Sequence, residues 1–227
     1  MTELKGFIFD VDGTLVDSVG FHMEAWYTAF AEAGLAQGRD VIHDQIGKGG
    51  DKLVPYLLAD EKLDPETLAA MTTRIDKRHS DIFREKYLHK VRTFPMAALL
   101  LNEIKSRGFK LGLASSGKGH EIRRYIALLG VGDIVDTVIT ASDVDQTKPA
   151  PDIFKSMLER LSLPVETLTA VGDTPYDIAS ANAVGLRCVA LLTGAFQSNE
   201  LGGAAAIYGD PAEMYENLDA LIIKLSG

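Results

Sequence analysis

The sequence predicts an α/β protein with a parallel sheet, helices on both faces of that sheet, and a block of helices inserted after the first strand. Short apolar runs alternate with helical periodicities along most of the 227 residues. Between residues 17 and 90 only helical patterns occur. With 46% hydrophobic and 24% charged residues, the chain can bury a sizeable core. We therefore expect a discontinuous α/β core of residues 1–16 and 91–227, with a helical cap of residues 17–90.

The first strand and the cap helices follow from where apolar residues fall. Gly6–Phe9 is a fully apolar run that stops at Asp10, as expected of a buried parallel strand. In the cap, Asp64 and Pro65 mark the start of a helix, as an N-cap and a first helical residue do. Apolar residues at helical spacing form three stripes, namely Trp26, Ala29, Phe30 and Ala33, then Leu53, Val54, Leu57 and Leu58, then Leu68, Met71, Ile75 and Ile82.

After the cap, strands and helices alternate, which predicts a parallel sheet with helices on both faces. Glycines at 108, 130 and 185 mark helix ends. A small-residue segment, 202–206, is expected to be a mobile loop. The predicted elements in order are a helix at 99–104, a strand at 109–114, a helix at 122–129, a strand at 137–140, a helix at 154–161, a strand at 168–171, a helix at 175–184, a strand at 188–192 and a helix at 211–225.

Charge and composition exclude several classes of partner. The formal net charge is −9, which argues against binding to nucleic acid or to an anionic membrane surface. The single cysteine, Cys188, cannot form an internal disulfide and is too few for a zinc or iron–sulfur site. The first residues lack a signal-peptide pattern, and no apolar run approaches the ~18 residues that a bilayer requires. We expect a cytoplasmic protein without a nucleic-acid or membrane partner.

Residues that carry chemistry follow the predicted strands, one group after each. Taken singly, each also fits a solvated turn or a loop charge, but in parallel sheets such residues meet at one edge. Clustered acids repel one another unless a cation lies among them, and hard oxygen ligands favour Mg²⁺ over zinc. The candidates in chain order are Asp10, Asp12, Ser115, Ser116, Lys148, Asp173 and Asp177.

Four motifs in order resemble those of the haloacid dehalogenase-like hydrolases. The segment Phe9-Asp10-Val11-Asp12-Gly13-Thr14-Leu15-Val16-Asp17-Ser18 resembles the first motif of that family, and Ser115 matches the second. Lys148, followed by proline, matches the third, and Gly172-Asp173-Thr174-Pro175-Tyr176-Asp177 resembles the fourth. The resemblance covers nearly the whole chain and implies a Rossmann-like core with a helical cap.

The resemblance also implies a role for each matched residue. Asp10 would attack phosphorus and form an aspartyl-phosphate. Asp12 would protonate the leaving alcohol and then deprotonate the attacking water, so it is expected to start protonated, favoured by like charges and burial. Ser115 would bind phosphoryl oxygens, and Lys148 would neutralise charge on the nucleophile and the phosphoryl group.

The same resemblance implies how Mg²⁺ would be held. Its ligands would be the Asp10 carboxylate, the Asp12 backbone carbonyl and Asp173. Asp177 would brace this set through water or through Lys148.

An acid at position 12 separates this chain from two branches of the family. The dehalogenating branch lacks an acid there, and the phosphonate-cleaving branch carries a small residue. Asp12 therefore favours hydrolysis of phosphomonoesters. Phosphoglycolate and sugar phosphates are the leading candidate substrates among small phosphorylated metabolites, while the ester itself and the oligomeric state stay open.

In the cap, three residues are candidates for contact with the substrate. His22 and Trp26, four residues apart, resemble a pair found in β-phosphoglucomutases and in some sugar-phosphate phosphatases, although the same spacing fits a packed aromatic beside an exposed histidine. Lys48, in a glycine-rich loop, would contact a substrate anion or be solvated. The mutases carry an arginine in that loop and a Lys-Asn pair later, where this chain has Gly50 and His79 followed by serine.

Three other classes of protein share some of these sequence features with a phosphatase. A β-phosphoglucomutase is disfavoured by the departures in the cap. A phospho-acceptor resembling response-regulator receivers would have neither a large cap nor an acid equivalent to Asp12. A phosphate-binding P-loop is excluded at 112–119, because Gly119 stands where a hydroxyl is needed and Gly112 lies inside a predicted strand.

Overall fold

A six-stranded parallel sheet forms the centre of the molecule in the computed structural model, which describes residues 3–227. The strand order is β5-β4-β1-β6-β7-β8, and β2 and β3 form a separate antiparallel ribbon. The strands are β1 (Gly6–Phe9), β2 (Val16–Asp17), β3 (Arg92–Thr93), β4 (Lys110–Ala114), β5 (Thr137–Ile139), β6 (Leu168–Gly172), β7 (Arg187–Leu191) and β8 (Ala206–Tyr208).

Four helices that precede β3 form the cap. The other helices connect the strands and cover both faces of the sheet. The α/β class expected from the sequence is thus confirmed. The helices are α1 (Val19–Glu32), α2 (Arg39–His43), α3 (Gly50–Leu57), α4 (Pro65–Lys86), α5 (Ala97–Ser106), α6 (Gly119–Leu129), α7 (Asp152–Leu161), α8 (Pro175–Asn182), α9 (Pro211–Glu216) and α10 (Leu218–Leu225).

The central strand β1 fixes the position of the site. All four of its residues are buried, and Phe9 lies level with Leu113 of β4 and with Val171 of β6. Its side chains alternate, so that Phe7 and Phe9 pack in one hydrophobic cluster and Ile8 in the other. Because the three strands end at the same level, the residues that follow them meet at one edge of the sheet.

The cap helices α1–α4 pack on one another through the predicted apolar stripes. Trp26 and Phe30 of α1 and Ile75 of α4 are buried. The side chain of Asp64 accepts hydrogen bonds from two backbone amides at the start of α4, as expected of an N-cap. The β2–β3 ribbon joins this block to the core at both of its ends. Within residues 3–227, no helix has both the length and the apolar character needed to cross a membrane.

One expectation near the C-terminus is wrong, and one edge strand was not expected. The helix expected at 211–225 is divided into α9 and α10 at Asn217, whose side-chain amide donates a 2.8 Å hydrogen bond to the carbonyl of Glu213 and so competes with the helical pattern. The expected mobile loop, 202–206, leads directly into the edge strand β8, and Ala205 N donates to the Cys188 carbonyl at 2.7 Å. A three-residue strand is too short to show alternation in sequence.

Candidate active site

The edge formed by the carboxyl ends of β1, β4 and β6 brings the predicted catalytic side chains together. Lys148, which is 1% exposed, lies at the centre of this arrangement. Its Nζ atom lies 2.5 Å from Asp10 Oδ1 and 2.7 Å from Asp177 Oδ1. It also donates to the Ala114 carbonyl at 2.7 Å. One buried cation therefore links residues that follow β1, β4 and β6.

A tight turn after β1 aligns Asp10 with Asp173. Gly13 has φ +79°, and a Cβ atom there would collide with the Asp173 carboxylate, so both the backbone conformation and the space require glycine. Thr14 Oγ1 donates to Asp173 Oδ1 at 2.7 Å and lies 3.3 Å from Asp10 Oδ2. The buried threonine thus fixes the spacing of the two carboxylates.

The carboxylates of Asp10, Asp173 and Asp177 form a cluster in which one oxygen of each lies within 4.8 Å of the others. Burial raises the pKa of Asp10 to about 8 against the opposing effect of Lys148, and it raises the pKa of Asp173 well above its ordinary value. Asp173 Oδ2 is buried and has no hydrogen-bond partner within the described chain. Buried acids with an unpaired oxygen fit a hard divalent cation.

Asp177 differs from the other two acids in its partners. Its Oδ2 atom accepts hydrogen bonds from Thr174 N and Oγ1, at 3.1 and 2.6 Å, in a capping box at the start of α8. Its other oxygen faces Lys148. Both oxygens of this carboxylate are thus engaged, which suits a residue that positions Lys148.

Asp12 points away from the acidic cluster, toward the cap. Its Oδ1 accepts from Ser18 Oγ at 2.6 Å and lies 3.1 Å from His22 Nε2. Ser115 Oγ lies 3.4 Å from Asp12 Oδ2. Burial alone would raise the pKa of Asp12, but the contacts with His22 and Ser18 outweigh it, so the pKa is lowered. The expectation of an Asp12 kept protonated by like charges and burial is therefore wrong for this arrangement.

The proton that Asp12 lacks can be carried by His22. Despite burial, the hydrogen bond to Asp12 raises the pKa of His22 above its ordinary value. On its other side, His22 Nδ1 lies 3.2 Å from His79 Nε2, and burial lowers the pKa of His79 well below its usual value. His22 stacks on Phe83 with ring centroids 3.8 Å apart, and His79 stacks on Trp26 at 3.7 Å. His22 thus faces Asp12 and not the solvent, whereas Trp26 packs on His79 and also lines the cleft.

The loop after β4 contributes two serines. Ser115 Oγ accepts from Gly117 N at 2.9 Å, which fixes the turn. Ser116 also borders the cleft, and its Oγ atom has no hydrogen-bond partner in the described part of the chain.

Lys48 reaches the same cleft from the cap loop before α3. Its Nζ atom bonds the Gln45 side chain and lies 4.6 and 4.5 Å from the ring centroids of Tyr56 and Tyr176. Tyr176 belongs to α8, so Lys48 stands on the α8 side of the cleft. Burial lowers the pKa of this lysine.

A cleft that is partly open to solvent lies between core and cap. Lys148 lies beneath this cleft. The other predicted site residues all line it, namely Asp10, Asp12, His22, Lys48, Ser115, Ser116, Asp173 and Asp177.

Sequence reasoning missed three polar residues that line this cleft, Asp76, Lys118 and Glu121, and the hydroxyl of the buried Tyr125 on α6. Lys118 at the start of α6 pairs with Asp76 of α4 at 2.5 Å. Glu121 and Tyr125 of α6 are 1% and 0% exposed, although Tyr125 was expected only as a member of an apolar stripe. The spacing of Lys118 and Glu121, three apart at a helix start, was the one available signal of a capping role.

Comparison with known proteins agrees with this geometry. The family model described as "Haloacid dehalogenase-like hydrolase" matches residues 7–191. A phosphoglycolate phosphatase of Yersinia pseudotuberculosis is 30% identical over 196 residues, which is 84% of this chain and 82% of that protein.

Solved structures give the same result. A hydrolase from Pseudomonas syringae has a TM-score of 0.87 and 28% identity, covering 96% of this chain and 99% of that chain. CbbY from Rhodobacter sphaeroides, crystallised in complex with phosphate, has a TM-score of 0.75 and 25% identity, covering 93% and 96% of the two chains. The ordered motifs, the family match and these relatives show that the chain belongs to the haloacid dehalogenase-like hydrolases and is an enzyme of their phosphatase branch.

Proposed function

We propose that the protein is a Mg²⁺-dependent phosphomonoester hydrolase that acts through an aspartyl-phosphate at Asp10 on a small phosphorylated metabolite. The observation that carries the proposal is the pairing of Asp10 with buried Lys148 at 2.5 Å, with Asp12 two residues later facing the same cleft. A carboxylate nucleophile beside an acid–base group is the arrangement that two-step hydrolysis requires.

In the first step an Asp10 carboxylate oxygen forms a bond to phosphorus, and the bond from phosphorus to the alcohol oxygen breaks. Asp10 must be ionised for this, and Lys148 favours the ionised form against the effect of burial. The proton that His22 holds in the resting site passes through Asp12 to the alcohol oxygen, which leaves His22 neutral and Asp12 a carboxylate. Ser115 donates to the phosphoryl oxygens.

In the second step water attacks the phosphorus of the aspartyl-phosphate. Asp12, a carboxylate at this stage, takes the proton of that water and passes it back to His22, and the bond between Asp10 and phosphorus breaks. Inorganic phosphate leaves, and both carboxylates return to their starting states. Lys148 stays beside Asp10 throughout and offsets the negative charge at the reacting centre.

The metal would be held by the carboxylates of Asp10 and Asp173, with the Asp12 backbone carbonyl as the family resemblance implies. The unpaired Asp173 Oδ2 and the raised pKa values of both acids support this assignment, because a cation removes the repulsion within the cluster. Asp177, whose oxygens are engaged, would act on the site through Lys148. When bound, Mg²⁺ supplies charge neutralisation for the nucleophile and the phosphoryl group.

Turnover of a chromogenic aryl phosphate tests the proposal. We expect steady release of phosphate that depends on added Mg²⁺ and is lost in EDTA. Asp10→Asn should lower kcat by about 10³-fold or more, because an amide is a poor nucleophile. The matched control is Asp81→Asn, which changes a half-buried carboxylate that pairs with Lys77 and Arg84 and does not line the cleft. A single stoichiometric phosphorylation without turnover would instead indicate a phospho-acceptor.

A β-phosphoglucomutase must hold a bisphosphate in two orientations, so its cap needs cationic anchors for the distal phosphate. Here a side chain at Gly50 would collide with Asp76, and the residue at 79 is a buried histidine with a lowered pKa. We therefore expect little interconversion of β-glucose 1-phosphate in the presence of catalytic glucose 1,6-bisphosphate. Rapid formation of glucose 6-phosphate, faster than phosphate release, would favour the mutase.

A further inference from the structure

The part of the cleft between α4 and α6 contains a lysine whose charge is already neutralised. Lys118 Nζ lies 2.5 Å from Asp76 Oδ2. The Asp76 carboxylate lies directly against Gly50 at the start of α3, and any Cβ at that position would collide with it. Core and cap thus supply their own ion pair at a place where a cation could otherwise bind a second anionic group of a substrate.

A buried acid borders the same space. Glu121 is 1% exposed, and its Oε2 atom accepts from Lys118 N at 3.2 Å. Its Oε1 atom is buried without a hydrogen-bond partner among residues 3–227, and His120 Nε2 lies 3.8 Å from it. Burial raises the pKa of Glu121 to about 7, and burial lowers that of His120. A buried, unpaired acceptor calls for a donor from elsewhere.

Two hydroxyl groups that border the cleft also lack partners. Ser80 Oγ on α4 and Ser116 Oγ after β4 are buried atoms without a hydrogen bond in the part of the chain that the structure describes. Together with Glu121 they offer acceptors and neutral donors to a ligand. Lys48 also lines the cleft, but it lies on the α8 side against Tyr176. On that side the catalytic loop would contact the phosphoryl group of the substrate.

We propose that the alcohol part of the substrate is a neutral, hydroxyl-bearing group, as in a polyol or sugar phosphate. Glu121 selects this group by accepting a hydrogen bond from one of its hydroxyls. Asp76 keeps Lys118 from binding a second anion. This inference rests on the phosphomonoester hydrolysis proposed above and names the class of ester that is hydrolysed. A carboxylate or second phosphate on the substrate would face Glu121 and would have to displace Asp76.

Matched ester pairs that differ only in a hydroxymethyl or a carboxylate group test this. The pairs are 2-hydroxyethyl phosphate with phosphoglycolate, and glycerol 3-phosphate with 3-phosphoglycerate. We expect kcat/KM to favour the hydroxymethyl member by about tenfold or more, because the carboxylate meets an unfavourable charge. The aryl phosphate is measured in parallel.

Two variants on opposite sides of the cleft link the preference to the proposed residues. Asp76→Asn frees Lys118 and should raise kcat/KM for the carboxylate member relative to its hydroxymethyl partner. Glu121→Gln keeps a hydrogen-bond acceptor but removes the negative charge. It should therefore bring the kcat/KM values of the carboxylate and hydroxymethyl members closer together. Asp81→Asn, at a position on α4 that does not line the cleft, should leave the ratio at its wild-type value.

The outcomes separate the two proposals. Preference for the carboxylate members, or a ratio that neither variant changes, would overturn the inference while hydrolysis of the aryl phosphate upholds the proposed function. Failure to hydrolyse any ester, the aryl phosphate included, would overturn the proposed function and the inference with it.

Discussion

Asp12, the acid–base residue of the proposed mechanism, is a carboxylate paired with the imidazole of His22, and the two groups share the proton of the site. The pKa of Asp12 is lowered and that of His22 is raised, because the 3.1 Å contact between them contributes to outweighing the opposing effect of burial on each group. The two groups together therefore keep one proton to a higher pH than an isolated carboxyl would. His79, neutral because of its lowered pKa, holds the other side of His22.

Replacing His22 by glutamine should expose this coupling. His22→Gln leaves Asp12 with a neutral neighbour. The proton of the acid–base pair is then lost near the pKa of a carboxyl and no longer near the raised pKa of the histidine. We expect a lower kcat at neutral pH and an alkaline limb of the pH–rate profile displaced to lower pH. The matched control is His89→Gln, an exposed position at the end of the cap. An unchanged profile in His22→Gln would show that the pair does not supply the proton.

Individual residues differ in how far the sequence predicts their position. Asp10, Lys148 and Asp173 are predicted to lie together because each follows its own strand or precedes its own helix in a parallel sheet. The pairing of Asp76 with Lys118 was missed, since it depends on how the cap docks on the core and no local pattern encodes that. The lowered pKa of Asp12 was missed for the same reason, because His22 comes from a cap helix.

Among the elements, buried strands were predictable because their apolar runs are uninterrupted and end at polar residues. The level ends of β1, β4 and β6 follow from the parallel register and bring the motifs to one edge. The break between α9 and α10 and the edge strand β8 were not predicted. Both depend on single contacts, namely the Asn217 amide with a backbone carbonyl and the pairing of β8 with β7.

The start of β4 depends on one carboxylate. Asp136 accepts from Lys105 at 2.6 Å, from Lys110 at 2.9 Å and from Leu111 N at 2.9 Å. Although burial opposes it, these contacts lower the pKa of Asp136 to about 2. A carboxyl with a lowered pKa stabilises the fold above its unfolded pKa, and that contribution disappears as the pH falls through about 2.

Asp136→Asn should therefore destabilise the protein in a pH-dependent way. We expect the free energy of unfolding at neutral pH to fall by about 1 kcal/mol, allowing for solvent screening of the two lysines. The difference from wild type should shrink as the pH falls below about 4, the unfolded pKa of aspartate. Urea unfolding at several pH values measures this, with exposed Asp133→Asn as the control. A difference that does not depend on pH would contradict the ionic explanation.

At the scale of the whole molecule, we expect the acidic cluster to make stability depend on the proposed cation. Asp10 and Asp173 have raised pKa values in the folded state. Raised carboxyl pKa values destabilise the fold as the pH rises above the unfolded pKa, up to about 8 for Asp10. Without a cation the site therefore opposes folding most strongly at alkaline pH.

Millimolar Mg²⁺ should raise Tm by a few degrees, and by more near the Asp10 pKa of about 8 than in mildly acidic solution, because protonated carboxyls compete with the ion. The comparison is between EDTA-treated protein with and without Mg²⁺. In Asp173→Asn the increase should be smaller, since one ligand is lost. An equal increase at both pH values, or full activity in EDTA, would contradict a metal in this cluster.

The central claim is that phosphoryl transfer passes through Asp10. The most direct measurement is acid quenching of the enzyme during turnover of an aryl phosphate, followed by mass spectrometry of the peptide that contains residues 6–17. We predict that this peptide gains the mass of one phosphoryl group at Asp10, that the adduct disappears when substrate is exhausted, and that Asp10→Asn shows neither adduct nor turnover. Steady hydrolysis without an adduct at any substrate concentration, with Asp10→Asn as active as wild type, would contradict the account.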